Sequence, residues 1–173
     1  MSHSVMCPYH LSHRDFPITL YRVHYPGSQT TFSEHFGFQS ASNFTPYRFA
    51  GFRNAVTYHM DWQCDVPSPF ISTFRNRLHA IQWAATWREN NDHQPCEIVE
   101  LRIAASDGVA VFRLATLVEG LSVPTRLDPS QYRSEYLCFH TIPAEAVVRR
   151  EPLSLAVVFS GYFRAAYEDS DDD

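Results

Sequence analysis

Residues 133–148 read RSEYLCFHTIPAEAVV. From Glu135 to Ile142 the run is rich in aromatic and β-branched residues and closes at Pro143, which reads as a strand that ends in a turn. AVVRR at 146–150 and LSLAVVFS at 153–160 supply further strands. Glu135 therefore opens a late strand, where the backbone can hold a carboxylate rigidly.

Upstream, ITLYRVHY (18–25) alternates: Ile18, Leu20 and Arg22 face one way, Thr19, Tyr21 and Val23 the other, and PGS at 26–28 ends the strand. VPSPFISTF (66–74) is a loop entering a short strand at Phe70 and Ile71. From Arg75 to Arg88 there is no Pro or Gly. Leu78, Ile81 and Ala85 recur at helical spacing, and Trp83 and Trp87 form an i,i+4 pair that anchors this helix on a sheet. Asn90, Asn91 and Pro95 stop it. CEIVELRIA (96–104) is another strand, and VAVFRLATLVEGL runs from strand into a short helix. Between Thr30 and Asp65 the chain is aromatic but aperiodic, with a short helix around 47–60. Short strands with a few helices predict an α+β fold.

Residues 1–17, polar and broken by Pro8 and Pro17, read as an irregular lead-in. Residues 18–167 form one domain, and 168–173 an acidic, disordered tail. The net charge is −5, but five negatives lie in that tail, so the body is nearly neutral. A broad basic surface for nucleic acid is excluded. There is no run of about 18 apolar residues for a membrane span and no secretory leader pattern, so the default placement is cytoplasmic, with export by a non-standard route left open. Cys7, Cys64, Cys96 and Cys138 are too far apart for a zinc knuckle and read as buried thiols in a reducing compartment. Nine histidines include no HExxH, and no CxxC or calcium loop is present, so no metal is expected. G-x-S-x-G and Walker A motifs are also missing.

Three separated pieces carry complementary chemistry: LYR (20–22), SPFISTF (68–74) and the stretch beginning at Arg133. Arg22 offers a planar donor fork for a phosphate or carboxylate. Ser72 and Thr73 can hydrogen-bond a ligand, and Glu135 can accept from ribose hydroxyls. Each has a plainer reading: a salt-bridged arginine, serine and threonine capping the helix near Arg75, a surface glutamate, and Phe74 and Tyr136 as core packing.

In order and setting these pieces resemble the arginine, Ser-Thr-Ser and glutamate elements of the arginine-serine-glutamate branch of the ADP-ribosyltransferase fold, over residues 18–150. EYLCFHTIPAEAVV is similar to that family's glutamate, strand, Ile-Pro and strand pattern. The wording LYR, SPFIST and EYL also resembles an uncharacterised fungal-type domain. The resemblance implies split, twisted antiparallel sheets with a few packed helices and, as substrate, NAD cleaved between nicotinamide and ribose. Glu135 would stabilise positive character on the ribose, Arg22 would hold the pyrophosphate, Ser72 and Thr73 would build the pocket, and Phe74 or Tyr136 would pack on the dinucleotide. Two positions depart: Phe74 replaces the second serine, and Arg133 stands where many members have an acceptor-engaging Gln or Glu. Arg133 thus points away from arginine as acceptor and makes it an acceptor-side residue. The acceptor is open among protein, nucleic acid, small molecule and water. Water would make the protein an NAD hydrolase, and loss of chemistry would leave a nucleotide- or protein-binding module, which could also use the aromatic residues of 32–52.

Overall fold

Alternation at residues 18–24 becomes strand β1 (Ile18–His24) in a computed structural model that describes residues 5–61 and 63–154. After β1 come β2 (Thr31–Ser33), β3 (Gly37–Gln39), helix α1 (Phe49–Met60), β4 (Phe70–Phe74), α2 (Arg77–Glu89) and β5 (Glu97–Ile103). They are followed by β6 (Val111–Arg113), α3 (Leu114–Gly120), α4 (Pro129–Tyr132), β7 (Glu135–Phe139), β8 (Thr141–Ile142) and β9 (Val147–Pro152). The architecture is α+β. A six-stranded sheet has the order β6-β7-β4-β1-β5-β9, and a small sheet the order β2-β3-β8. Every neighbouring pair in both is antiparallel.

Strand alternation sends residues to two faces. On one face of the large sheet, Leu20, Ile71, Leu101 and Cys138 pack with Phe38 and Ile142 of the small sheet. On the other, Val23, Phe74 and Ile98 pack under α2, while Phe70 and Leu137 pack with Phe52 of α1 and Leu117 of α3. β1 pairs with β5 along its whole length, from Ile18 opposite Ile103 to His24 opposite Glu97. Its pairing with β4 is confined to Tyr21 opposite Phe74. The large sheet is therefore held across its middle by a single paired position.

Several expectations are corrected. The buried stripe of α2 is Ala80, Ile81 and Ala84, so Leu78 and Ala85 flank it. Asn76 caps that helix by accepting from the His79 N–H, which leaves Ser72 and Thr73 inside β4. The aperiodic segment holds the hairpin β2–β3. The described part of the lead-in, from residue 5, holds two short 3-10 turns (Cys7–Tyr9 and His13–Asp15) and is packed in: Met6 is buried and the Leu11 N–H donates to the Val111 carbonyl. Cys96 and Cys138 are buried, whereas Cys7 is exposed and Cys64 half-buried. Phe36, Phe44, Tyr47 and Phe49 are exposed while Phe38 and Phe52 are core. The strand expected at 153–160 falls almost wholly outside the described residues, as does the tail 168–173.

At the start of β3, Gly37 has φ +75° and a Cβ there would collide with the Ile142 carbonyl and come within 2.6 Å of the Ala144 nitrogen. Both the left-handed backbone and the close approach of β8 demand glycine. Gly37→Ala is expected to lower the unfolding free energy by at least ~2 kcal/mol in urea titrations. Wild-type stability would contradict this account of the small sheet.

Candidate functional site

Residues 69 and 75, at the ends of β4, bond towards β7: the His140 N–H donates to the Pro69 carbonyl and the Arg75 N–H to the Ser134 carbonyl. Backbone groups alternate along a strand, so the Ser72 carbonyl is directed towards β1. It finds a side chain there. Arg22 Nη1 donates to it at 2.9 Å, and Nη2 donates to Ser28 Oγ at 2.9 Å. The guanidinium thus occupies the place where β1 and β4 stop pairing. Arg22 is only 6% exposed, and its Nε is buried with no hydrogen-bond partner among the described residues.

The hydroxyl of Ser72 donates to Glu135 Oε1 at 2.7 Å. Phe74 and Glu135 are cross-strand partners, which puts Ser72 and Glu135 on the same face of the sheet. A fourth group meets them: His59, in the last turn of α1, lies with Nε2 2.8 Å from Ser72 Oγ and Nδ1 2.6 Å from Ser68 Oγ. Its Nε2 is 4.0 Å from Glu135 Oε1. Arg22, His59, Ser68, Ser72, Phe74 and Glu135 all line one cavity of about 810 Å³, of the size that encloses a cofactor-like ligand.

Burial pushes the Glu135 carboxyl up to about 7 from an ordinary 4.5, against the Ser72 hydrogen bond and the charge of Arg22, which lower it. Burial, aided by the charge of Arg22, lowers His59 from 6.5 to about 4. The imidazole is therefore neutral at ordinary pH while the carboxyl is poised between its two states.

Not every expected residue arrives here. Thr73 and Tyr136 pair with each other on the opposite face, because odd and even positions alternate. Thr73 Oγ1 donates to the Tyr136 carbonyl at 2.8 Å, and Tyr136 takes the Arg113 Nε–H on its hydroxyl. Thr73 and Tyr136 thus tie β4, β6 and β7 together on the face away from Ser72 and Glu135. Arg133 is exposed at the end of α4, and its charge, after burial, helps lower the proton affinity of His79. Trp83 and Trp87 pack near Tyr25 and also line the cavity. His59 escaped the sequence reading, though Phe52, Ala55, Val56 and His59 share one helical face.

A family model described as a domain of unknown function, DUF7587, matches residues 15–156. The chain belongs to this family. No curated protein matches it. The description of DUF7587 carries no activity, ligand or source, and this corrects labels that came with the resemblance. Membership confers neither a transferase nor a hydrolase label, no NAD binding and no fungal-type assignment. The cytoplasmic placement reduces to one observation: among the described residues, no helix is long and apolar enough to cross a membrane. Among the same residues no group of three or more His, Cys, Asp or Glu is gathered as a metal site.

The two shifted groups make opposite contributions to stability. A carboxyl raised on folding stabilises below pH 4.5, and that stabilisation is lost as pH rises through 7. An imidazole lowered on folding stabilises above pH 6.5, and that is lost as pH falls through 4. Each amounts to about 3 kcal/mol, and the two oppose each other between roughly pH 4.5 and 6.5. Relative to wild type, Glu135→Gln is expected to gain stability with rising pH in that window, and His59→Gln to lose it. Urea unfolding at several pH values reads this directly, and parallel profiles for all three proteins would contradict it.

Proposed function

We propose that this protein cleaves NAD at the nicotinamide–ribose bond and transfers the ADP-ribose to an acceptor. The observation that carries the reading is the fixed set Arg22, Ser72 and Glu135 in one cavity, with Ser72 bonded to both its neighbours. Three strands distant in sequence deliver an anion-binding fork, a hydroxyl and a carboxylate to one place. The fold proposed with it is the split-sheet ADP-ribosyltransferase type, supported by the single paired position between β1 and β4.

In this reading Arg22 takes a pyrophosphate oxygen. Its buried positive charge, lining the cavity, favours an anion there. Glu135, as carboxylate, accepts a hydrogen bond from a ribose hydroxyl and offsets the positive character that grows as nicotinamide departs. Ser72 holds the carboxylate in place and favours its charged form. Phe74 gives the cavity an apolar wall beside Glu135. The acceptor approaches the side of Arg133, exposed next in the chain to the cavity-lining Tyr132, and its positive charge disfavours a cationic acceptor. Water as acceptor uses the same three residues and gives free ADP-ribose.

Purified protein incubated with NAD at pH 7 to 8 is expected to release nicotinamide, and Glu135→Gln to lose at least ~100-fold of that rate while staying folded. Free ADP-ribose matching nicotinamide would assign water as acceptor, and an ADP-ribose deficit appearing with cell extract would assign transfer. No nicotinamide release with or without extract would overturn the proposal in favour of a binding module.

A further inference from the structure

Glu135, Ser72, His59 and Ser68 are joined by three consecutive contacts of 2.7, 2.8 and 2.6 Å. A chain this tight has a direction, because each hydroxyl and a neutral imidazole carry one proton apiece. An ionised Glu135 can only accept, so the Ser72 proton is committed to it. The Ser72 oxygen then faces His59 Nε2 with lone pairs alone, and Nε2 must carry the hydrogen. That leaves Nδ1 as an acceptor, which the Ser68 hydroxyl fills while Ser68 Oγ also receives the Phe70 N–H. With Glu135 protonated the order reverses: the carboxyl donates to Ser72, Ser72 donates to Nε2, and Nδ1–H donates to Ser68.

We infer that His59 is a positioning residue whose tautomer follows the charge on Glu135, so that the four side chains switch direction as one unit. The inference rests on the proposed role of Glu135, and adds the device that decides which way Ser72 points. With the carboxylate charged, the Nε2–H tautomer bars Ser72 from turning away to the imidazole, and the hydrogen bond that holds the carboxylate is kept.

The surroundings permit a tautomer change without a charge change on His59. The charged groups acting on it are Arg22 from β1 and Glu135 from β7, and Tyr25, Tyr58, Asp61, Cys64, His79 and Tyr132 also line the same cavity. Arg22, permanently positive, and burial together keep the imidazolium out of reach at neutral pH. A neutral histidine between two hydroxyls can then respond only by moving its proton from one nitrogen to the other.

Nitrogen-15 NMR of the histidine rings, with carbon-13 detection of the Glu135 carboxyl, tests this on the full chain without any ligand. His59 is expected to be the Nε2–H form above pH 8 and to gain Nδ1–H character as pH falls, with the midpoint of the Glu135 titration and no imidazolium signal above pH 5. His59→Ala is expected to raise the Glu135 midpoint by about one unit, because Ser72 is no longer held. His59→Gln, whose amide can replace the Nε2–H donor, is expected to restore most of it. One unchanging tautomer between pH 5 and 9, or protonation of His59 near 6.5, would overturn the inference. A coupled tautomer in a protein that releases no nicotinamide would overturn the functional proposal alone, and active protein with an uncoupled histidine would overturn only this one.

Discussion

The bond from Arg22 Nη1 to the Ser72 carbonyl takes an acceptor that a continuing β1–β4 ladder would have used. A buried guanidinium is costly to desolvate, and burial lowers the proton affinity of Arg22. Carbonyl and hydroxyl partners recover part of that cost without neutralising the charge. The positive charge left inside the protein then governs its neighbours. It adds to the burial that keeps His59 neutral and, with the Ser72 hydrogen bond, holds Glu135 below the value that burial alone would set. The same side chain thus sits where two strands part, lines the cavity and acts on both titratable groups.

Sheet topology explains how such distant residues converge. β1, β4 and β7 are neighbours in space, though Arg22, Ser72 and Glu135 are about 50 and 63 positions apart along the chain. Strands position side chains with less freedom than loops, which suits a site where a hydroxyl must be shared between a carboxylate and an imidazole. α1 closes the arrangement from above, seated by Phe52, Ala55 and Val56 in the core and delivering His59 at its last turn.

Much of this was legible in the sequence because the relevant strands alternate clearly. Ile18 and Leu20 pack towards the small sheet and Tyr21 and Val23 towards α2 as the period of two requires, and the strands at 70, 97, 111 and 135 begin where their composition changes. The β2–β3 hairpin was not legible: its strands are three residues long, and Phe32 and Phe38 alternate with too few neighbours to establish a period. Thr73 and Tyr136 adjoin Ser72 and Glu135 in sequence, but adjacency in a strand means opposite faces. His59 gives no site signal in the sequence because its partners, Ser68 and Ser72, come from the loop before β4 and from β4 itself. A helical face can announce that a residue points inward, but not what it meets there.

The central claim is that the Glu135 carboxylate receives a ribose hydroxyl when the dinucleotide occupies the cavity, and the carboxyl itself can report it. A carbon-13 titration of Glu135 with and without a non-cleavable carbocyclic NAD analogue makes the comparison in the wild-type protein. A hydroxyl donated to the charged form must lower the midpoint from about 7, and the account predicts a drop that Arg22→Ala abolishes by weakening binding. A midpoint unchanged or raised at saturating analogue would contradict it.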